Sequence, residues 1–240
     1  MRPRVHAVSS VIACVTAFWS VFGVSAAARA EIVDWTQWVS NTSTTASGFI
    51  AELGINISYS GEITGYTQTG GGGVSYWNPP STYTSPQVST IPTTNGILML
   101  IGTASQYKVT FSQPVVDPAM DIATLGNTTQ TAAWQFSAPF TLVSSGPGEL
   151  GGGTISQFPN NLLEGNEGNG TIQFLGTYST ISWTVPLPEY FSGFTIGAAS
   201  LAPVPEPSTL LLMSFAGFAL ASKVVRRLRC GSRSQVCNAN

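Results

Sequence analysis

Between Glu31 and Pro203 apolar and polar positions alternate, and no window repeats apolar residues at helical three-and-four spacing. Ile55, Ile57 and Tyr59 are separated by Asn56 and Ser58, and Tyr107, Val109 and Phe111 by Lys108 and Thr110. Further on, Ile172 and Phe174 flank Gln173, while Ile181, Trp183 and Val185 flank Ser182 and Thr184. Side chains of successive strand residues point to opposite faces, so each segment predicts a strand with one face in a core. Ile97 to Ile101 is apolar throughout, which predicts a strand covered on both sides. Asp34 to Val39 has two tryptophans three apart, compatible with one helical turn but better read as an edge segment opening the fold. Trp134 and Trp183 fall within alternating segments and are expected in the core. Turn-forming clusters punctuate the strands at Gly70–Gly73, Asn78-Pro79-Pro80, Asn95-Gly96, Gly126-Asn127, Gly146–Gly148, Gly151–Gly153 and Gly165–Gly170. The pattern predicts an all-β domain over residues 31–203, a β-sandwich or jelly roll of about ten short strands. No repeat of fixed period points to a solenoid or propeller.

The two ends follow other rules. Residues 1–30 begin with Arg2 and Arg4, continue through an apolar run from Val11 to Val24 and close on Ala28-Arg29-Ala30. This is the three-part secretory signal, expected to form a helix and to be cleaved after Ala30; its apolar run is shorter than the ~20 residues of a membrane span. Near the other end, Val204, Pro205, Glu206, Pro207, Ser208 and Thr209 precede the apolar stretch Leu210–Ala221 and the basic residues Lys223, Arg226, Arg227 and Arg229. The prolines exclude a helix across Pro-Glu-Pro, Ser208 is placed to cap one after it, and the basic cluster holds that end in the cytoplasm.

The arrangement of residues 204–229, a Pro-Glu-Pro motif, a short hydrophobic helix and an arginine-rich end, paired with an N-terminal signal peptide, resembles the PEP-CTERM sorting signal of Gram-negative bacteria that make exopolysaccharide. The resemblance implies handling by the secretion machinery, transient insertion in the inner membrane through the C-terminal helix, and processing near the motif by an exosortase. It implies delivery to the cell envelope or the extracellular space, with a link to exopolysaccharide and biofilm, and it carries an address and no activity. Residues 230–240, with Cys230 and Cys237, extend past the point where members of this class commonly end. Within the exported stretch, Val109–Ile122, Ala138–Gly148 and Glu164–Phe174 resemble a domain that recurs among exosortase substrates; that likeness supports one β domain and supplies no mechanism.

Charge sharpens this division. Charged residues make up 8% of the 240-residue chain, against about a quarter in ordinary soluble proteins. Residues 31–203 hold ten carboxylates, one ammonium, Lys108, and neither His nor Cys. A Ser-His-Asp triad, a cysteine nucleophile and a Cys/His zinc site are therefore excluded from that stretch, and its acidity disfavours nucleic acid. Gly70–Gly73 is followed by Val74 and Ser75 with no lysine, so the mechanics of a phosphate loop are missing.

Two sets of candidates remain. Glu164 and Glu167, in the loop Glu-Gly-Asn-Glu-Gly-Asn, offer carboxylate, amide and carbonyl oxygens on a flexible backbone, the chemistry of a calcium site. Tyr76 and Trp77, in a Gly/Pro/Ser/Thr-rich segment, are candidate stacking faces for a glycan. The reading from sequence is an exported, exosortase-processed, non-enzymatic envelope or matrix protein. The alternative is a carbohydrate-binding module, with calcium as the one cofactor the residues suggest, and the third is a glycan hydrolase using two of the ten carboxylates.

Overall fold

The computed structural model describes residues 31–203. The signal segment with Ala28 and Ala30, the sorting motif Val204–Thr209, the C-terminal hydrophobic stretch, the basic cluster and both C-terminal cysteines lie outside the described residues. The described part is all-β, with fifteen strands where the pattern predicted about ten. They are β1 (Asp34–Trp35), β2 (Gln37–Asn41), β3 (Thr45–Ile50), β4 (Ile55–Ser60), β5 (Leu98–Leu100), β6 (Tyr107–Val116), β7 (Ala119–Leu125) and β8 (Ala132–Phe136). Then come β9 (Thr141–Gly146), β10 (Gly153–Phe158), β11 (Leu162–Gly165), β12 (Gly168–Gln173), β13 (Thr177–Leu187), β14 (Ser192–Ala198) and β15 (Ser200–Leu201). A single helical turn, α1 (Pro80–Tyr83), interrupts the long β4–β5 connection, and among the described residues no helix is long and apolar enough to cross a membrane.

The strands form two facing layers. One runs β2-β3-β4-β6-β13-β8-β11-β10, with β15 on β6; the other runs β1-β14-β7-β12, with β5 on β14 and β9 on β12. β10 joins them, pairing antiparallel with β11 and parallel with β12, so the sandwich closes almost into a barrel. Between the layers, Met120, Ile122, Ile172, Phe194 and Ile196 meet Ile57, Tyr59, Val109, Trp134 and Trp183. Trp183 stands at the centre, stacked on Trp134 at 5.7 Å and on Tyr107 at 5.6 Å, with Phe194 edge-on at 5.2 Å. Such aromatic pairs add about 0.5–1.5 kcal/mol each beyond their area burial.

The layers differ in their outer faces. In β4 burial alternates strictly, as its Ile/Asn/Ile/Ser/Tyr/Ser sequence dictates. Every residue of β7, β12 and β14 is buried, because the β4–β5 connection and the N-terminal segment lie across that layer's back. Trp77, Tyr83, Ile97 and Met99 cover one part of it, and Val33, Trp35 and Val88 another. The Ile97–Ile101 expectation holds for Ile97–Leu100, all buried, with β5 over Leu98–Leu100, whereas Ile101 lies past the strand and is half-buried. The Gly165–Gly170 expectation needs correction: from Gly168 onward this run is a central strand rather than a turn. Glycine suits it there, because a Cβ at Gly168 would press on the Thr154 carbonyl and the Ile155 side chain.

Candidate functional site

Four connections meet at one end of the sandwich and enclose a cleft of about 430 Å³. The end of β7 brings Thr124 and the turn after it Gly126, Asn127 and Gln130; the β9–β10 loop brings Leu150; the β11–β12 turn brings Glu167; the β13–β14 loop brings Glu189, Tyr190 and Phe191. The volume falls within the range of small-molecule pockets.

The side chain that ties these connections together is Asn169, 1% exposed in β12. Its Nδ2 donates to the Glu167 carbonyl at 2.8 Å and to the Gly151 carbonyl at 3.2 Å, and its Oδ1 accepts the Thr124 N–H at 2.8 Å. The Tyr83 hydroxyl, which donates to the Tyr76 carbonyl at 2.9 Å, lies 3.4 Å from the same Oδ1. One amide thus fixes the β7 end, the β11–β12 turn and the β9–β10 loop. The backbone it holds is unusual: Thr124 has φ 54° and Glu167 φ 52°. For a β-branched residue such as threonine, the left-handed region is a genuine outlier that persists only when surrounding contacts over-determine it, and such strain concentrates at functional sites. The Thr124 hydroxyl adds a bond to the Phe191 carbonyl at 3.1 Å, tying β7 to the β13–β14 loop.

Glu189 gives the cleft its chemistry. It is 6% exposed, and its Oε1 accepts the Gly126 N–H at 2.5 Å. Gly126 has φ 79°, and a Cβ there would collide with the Gly165 carbonyl, so only glycine presents its N–H in this way. Desolvation pushes the Glu189 carboxyl up to about 7 against the lowering effect of that N–H. Near neutral pH the group is therefore shared between acid and carboxylate, able both to donate to and to accept from a hydroxyl. Tyr190 beside it is 80% exposed. Phe191 makes an edge-to-face contact at 5.2 Å with Tyr66, itself exposed, so aromatic surface rims the acid.

Of the residues singled out in the sequence, Glu167 lines this cleft and Glu164 does not. Glu164 sits on β11 over a separate depression with Thr154, Ser156 and Phe158, so the expected calcium pair is divided between two clefts. Among the described residues no three His, Cys, Asp or Glu side chains gather where they could hold a metal ion. The glycan faces expected at Tyr76 and Trp77 are corrected: these residues are 7% and 1% exposed. Trp77 packs edge-on against Tyr83 at 5.4 Å, and the Tyr76 carbonyl receives the Tyr83 hydroxyl, so the pair braces the Asn169 network from below. Asp117 accepts the Gly176 N–H at 2.5 Å, while Asp121 is fully buried beneath α1, with Oδ1 2.5 Å from the Thr171 hydroxyl. Asn169 ends the Glu-Gly-Asn-Glu-Gly-Asn stretch singled out for calcium, and its amide instead ties backbone together; Glu189 and Tyr190 were not singled out from sequence, and no local motif marks them.

No curated protein and no solved structure matches the chain. Residues 203–229 match the family model of the PEP-CTERM protein-sorting motif, in agreement with the Pro-Glu-Pro, hydrophobic and arginine-rich order of that segment. The chain thus carries a PEP-CTERM sorting motif directly after the β-sandwich, which supports export and sorting by an exosortase.

Proposed function

We propose that residues 31–203 form a non-enzymatic saccharide-binding domain, delivered by the sorting signal to the cell envelope or matrix, where it contacts exopolysaccharide. The observation that carries this reading is the cleft in which Glu189, nearly buried and bonded only through one oxygen, stands beside the exposed Tyr190. A carboxyl that can donate and accept, next to an open aromatic face, is the pairing that binds a sugar ring: hydrogen bonds to hydroxyls at the edge and stacking on the apolar face. Hydrolysis would require a second carboxylate about 5–10 Å away to act as nucleophile or base. Glu167 lines the same cleft as Glu189, whose carboxyl is raised by desolvation, so a turnover assay distinguishes the two readings. The test is a glycan array followed by incubation with each bound glycan. Binding with no release of reducing ends is the expected result; release that is abolished by Glu189→Gln would replace this reading with a hydrolase.

A further inference from the structure

A second surface, remote in sequence from the cleft, has a more regular chemistry. On the solvent face of the first layer, cross-strand registers align hydroxyls in rows. Ser40, Ser47, Ser58, Thr110 and Thr180 form one row across β2, β3, β4, β6 and β13. Two residues along each strand, Thr45, Ser60, Lys108 and Ser182 form the next, continued onto the segment after β8 by Ser137, whose Oγ is 2.8 Å from that of Ser182. Ser40 and Ser47 are likewise joined Oγ to Oγ at 2.7 Å. The surface over the β2–β6 part of these rows is concave, a groove of about 560 Å³. It continues into a depression of about 320 Å³ that shares Ser47, Ser58 and Thr110 and ends on Val39 and Phe49.

The distribution of charge on this groove is the reverse of that on the domain. Lys108, the only ammonium in residues 31–203, stands in its wall, and none of the ten carboxylates lines either part. We infer that the groove binds an acidic polysaccharide, a chain of hydroxylated rings bearing carboxylates, laid across the strands with a carboxylate paired to Lys108. Neighbouring strands lie ~5 Å apart and the two rows ~7 Å apart, so an extended pyranose chain crossing the sheet meets about one hydroxyl pair per ring. Each Ser or Thr hydroxyl donates and accepts, so the rows match ring hydroxyls in more than one orientation. An apolar partner would leave these hydroxyls unpaired on burial, which is costly. A nucleic acid would need several cations where the groove offers one. This surface goes beyond the Glu189 cleft, and neither its argument nor its test depends on it.

The experiment compares binding of the full-length protein, in detergent, to polygalacturonate and to its fully methyl-esterified form. The arginine-rich C-terminus is identical in every variant, so the differences between variants report the groove. The wild type is expected to favour the charged polymer and to lose that preference at high salt. Lys108→Gln should weaken polygalacturonate binding up to about fivefold, the range for an exposed ion pair, without changing binding of the ester. Ser58→Phe, which keeps good strand propensity while filling the groove floor, should weaken both by tenfold or more with an unchanged melting temperature. Binding of charged and esterified polymer with equal affinity, or wild-type binding by either groove variant, would overturn the inference. Loss of polygalacturonate binding in Glu189→Gln alone would assign the polymer to the cleft and overturn it as well.

Discussion

Replacing Asn169 by alanine removes the side chain that holds three connections in register. Two donated bonds disappear, to the Glu167 and Gly151 carbonyls, and the Thr124 N–H is left without its acceptor in a buried position. At about 1 kcal/mol for each bond lost and about 1–3 kcal/mol for a buried donor left unpaired, the cost is about 3–5 kcal/mol. That is a large share of the 5–15 kcal/mol that holds an ordinary domain folded. In a domain of this size each kcal/mol moves the midpoint by about 2–4 °C, so thermal unfolding followed by circular dichroism at pH 7 should show a fall of about 10 °C. Asn169→Asp should be no better, because a carboxylate keeps the acceptor for Thr124 but faces two carbonyl oxygens where the amide donated. The drop should come with loss of saccharide binding, since Thr124 and Glu167 hold left-handed backbone only under these contacts. A shift of less than about 3 °C in Asn169→Ala would refute the assignment of Asn169 as the hub of the cleft.

Three further outcomes follow from the same contacts. Burial raises the Asp121 carboxyl well above its usual range, only partly countered by the Thr171 hydroxyl, so its contribution is greatest below the unfolded carboxyl value of about 3.9 and is lost as pH rises toward the folded value. Glu189 acts in the same direction up to about pH 7, so melting temperature should fall from pH 4 to pH 7 less steeply in Asp121→Asn and in Glu189→Gln than in the wild type; parallel profiles would contradict this. Gly126→Ala, at φ 79° with the Gly165 carbonyl in the way, should cost about 2 kcal/mol or more in denaturant titration. Gly152→Ala, with open space around its Cβ, should stay within about 0.5 kcal/mol of wild type. Mass spectrometry of the released protein should find Glu31 at its N-terminus and an end near Pro205–Pro207; an intact Arg226–Arg229 segment would contradict exosortase trimming.

The strands of the first layer could be read from sequence because their outer faces meet water: Ile55, Ile57 and Tyr59 turn inward, and Asn56 and Ser58 have to be polar. The second layer could not be read this way. Asp121, Asn169 and Thr171 look like solvent positions, yet are buried beneath the β4–β5 connection, and Thr195 is buried with its hydroxyl accepting the Trp38 indole N–H. That cover also explains the misplaced aromatics. Tyr76 and Trp77 sit among glycines, prolines and serines, a composition that reads as an exposed loop, while in the fold the pair is buried with Tyr83, Ile97 and Met99. Glu167 was legible as an acid in a glycine-rich turn. Its true neighbour Glu189 lies in another connection, and only the closing of the sandwich brings the two to one cleft. The sorting signal was legible in full because it is a linear address, read from consecutive residues without any fold.

The central claim is that the cleft between Glu189 and Tyr190 is a saccharide site, and isothermal titration of the tightest glycan from the array tests it most directly. Tyr190→Ala should weaken binding about tenfold or more while leaving the melting temperature within about 1 °C, since an exposed ring contributes stacking to the ligand and little to the fold. Glu189→Ala should weaken it further by removing the buried hydrogen-bonding carboxyl. Wild-type affinity in both variants would contradict the assignment and move the function of this domain away from the cleft.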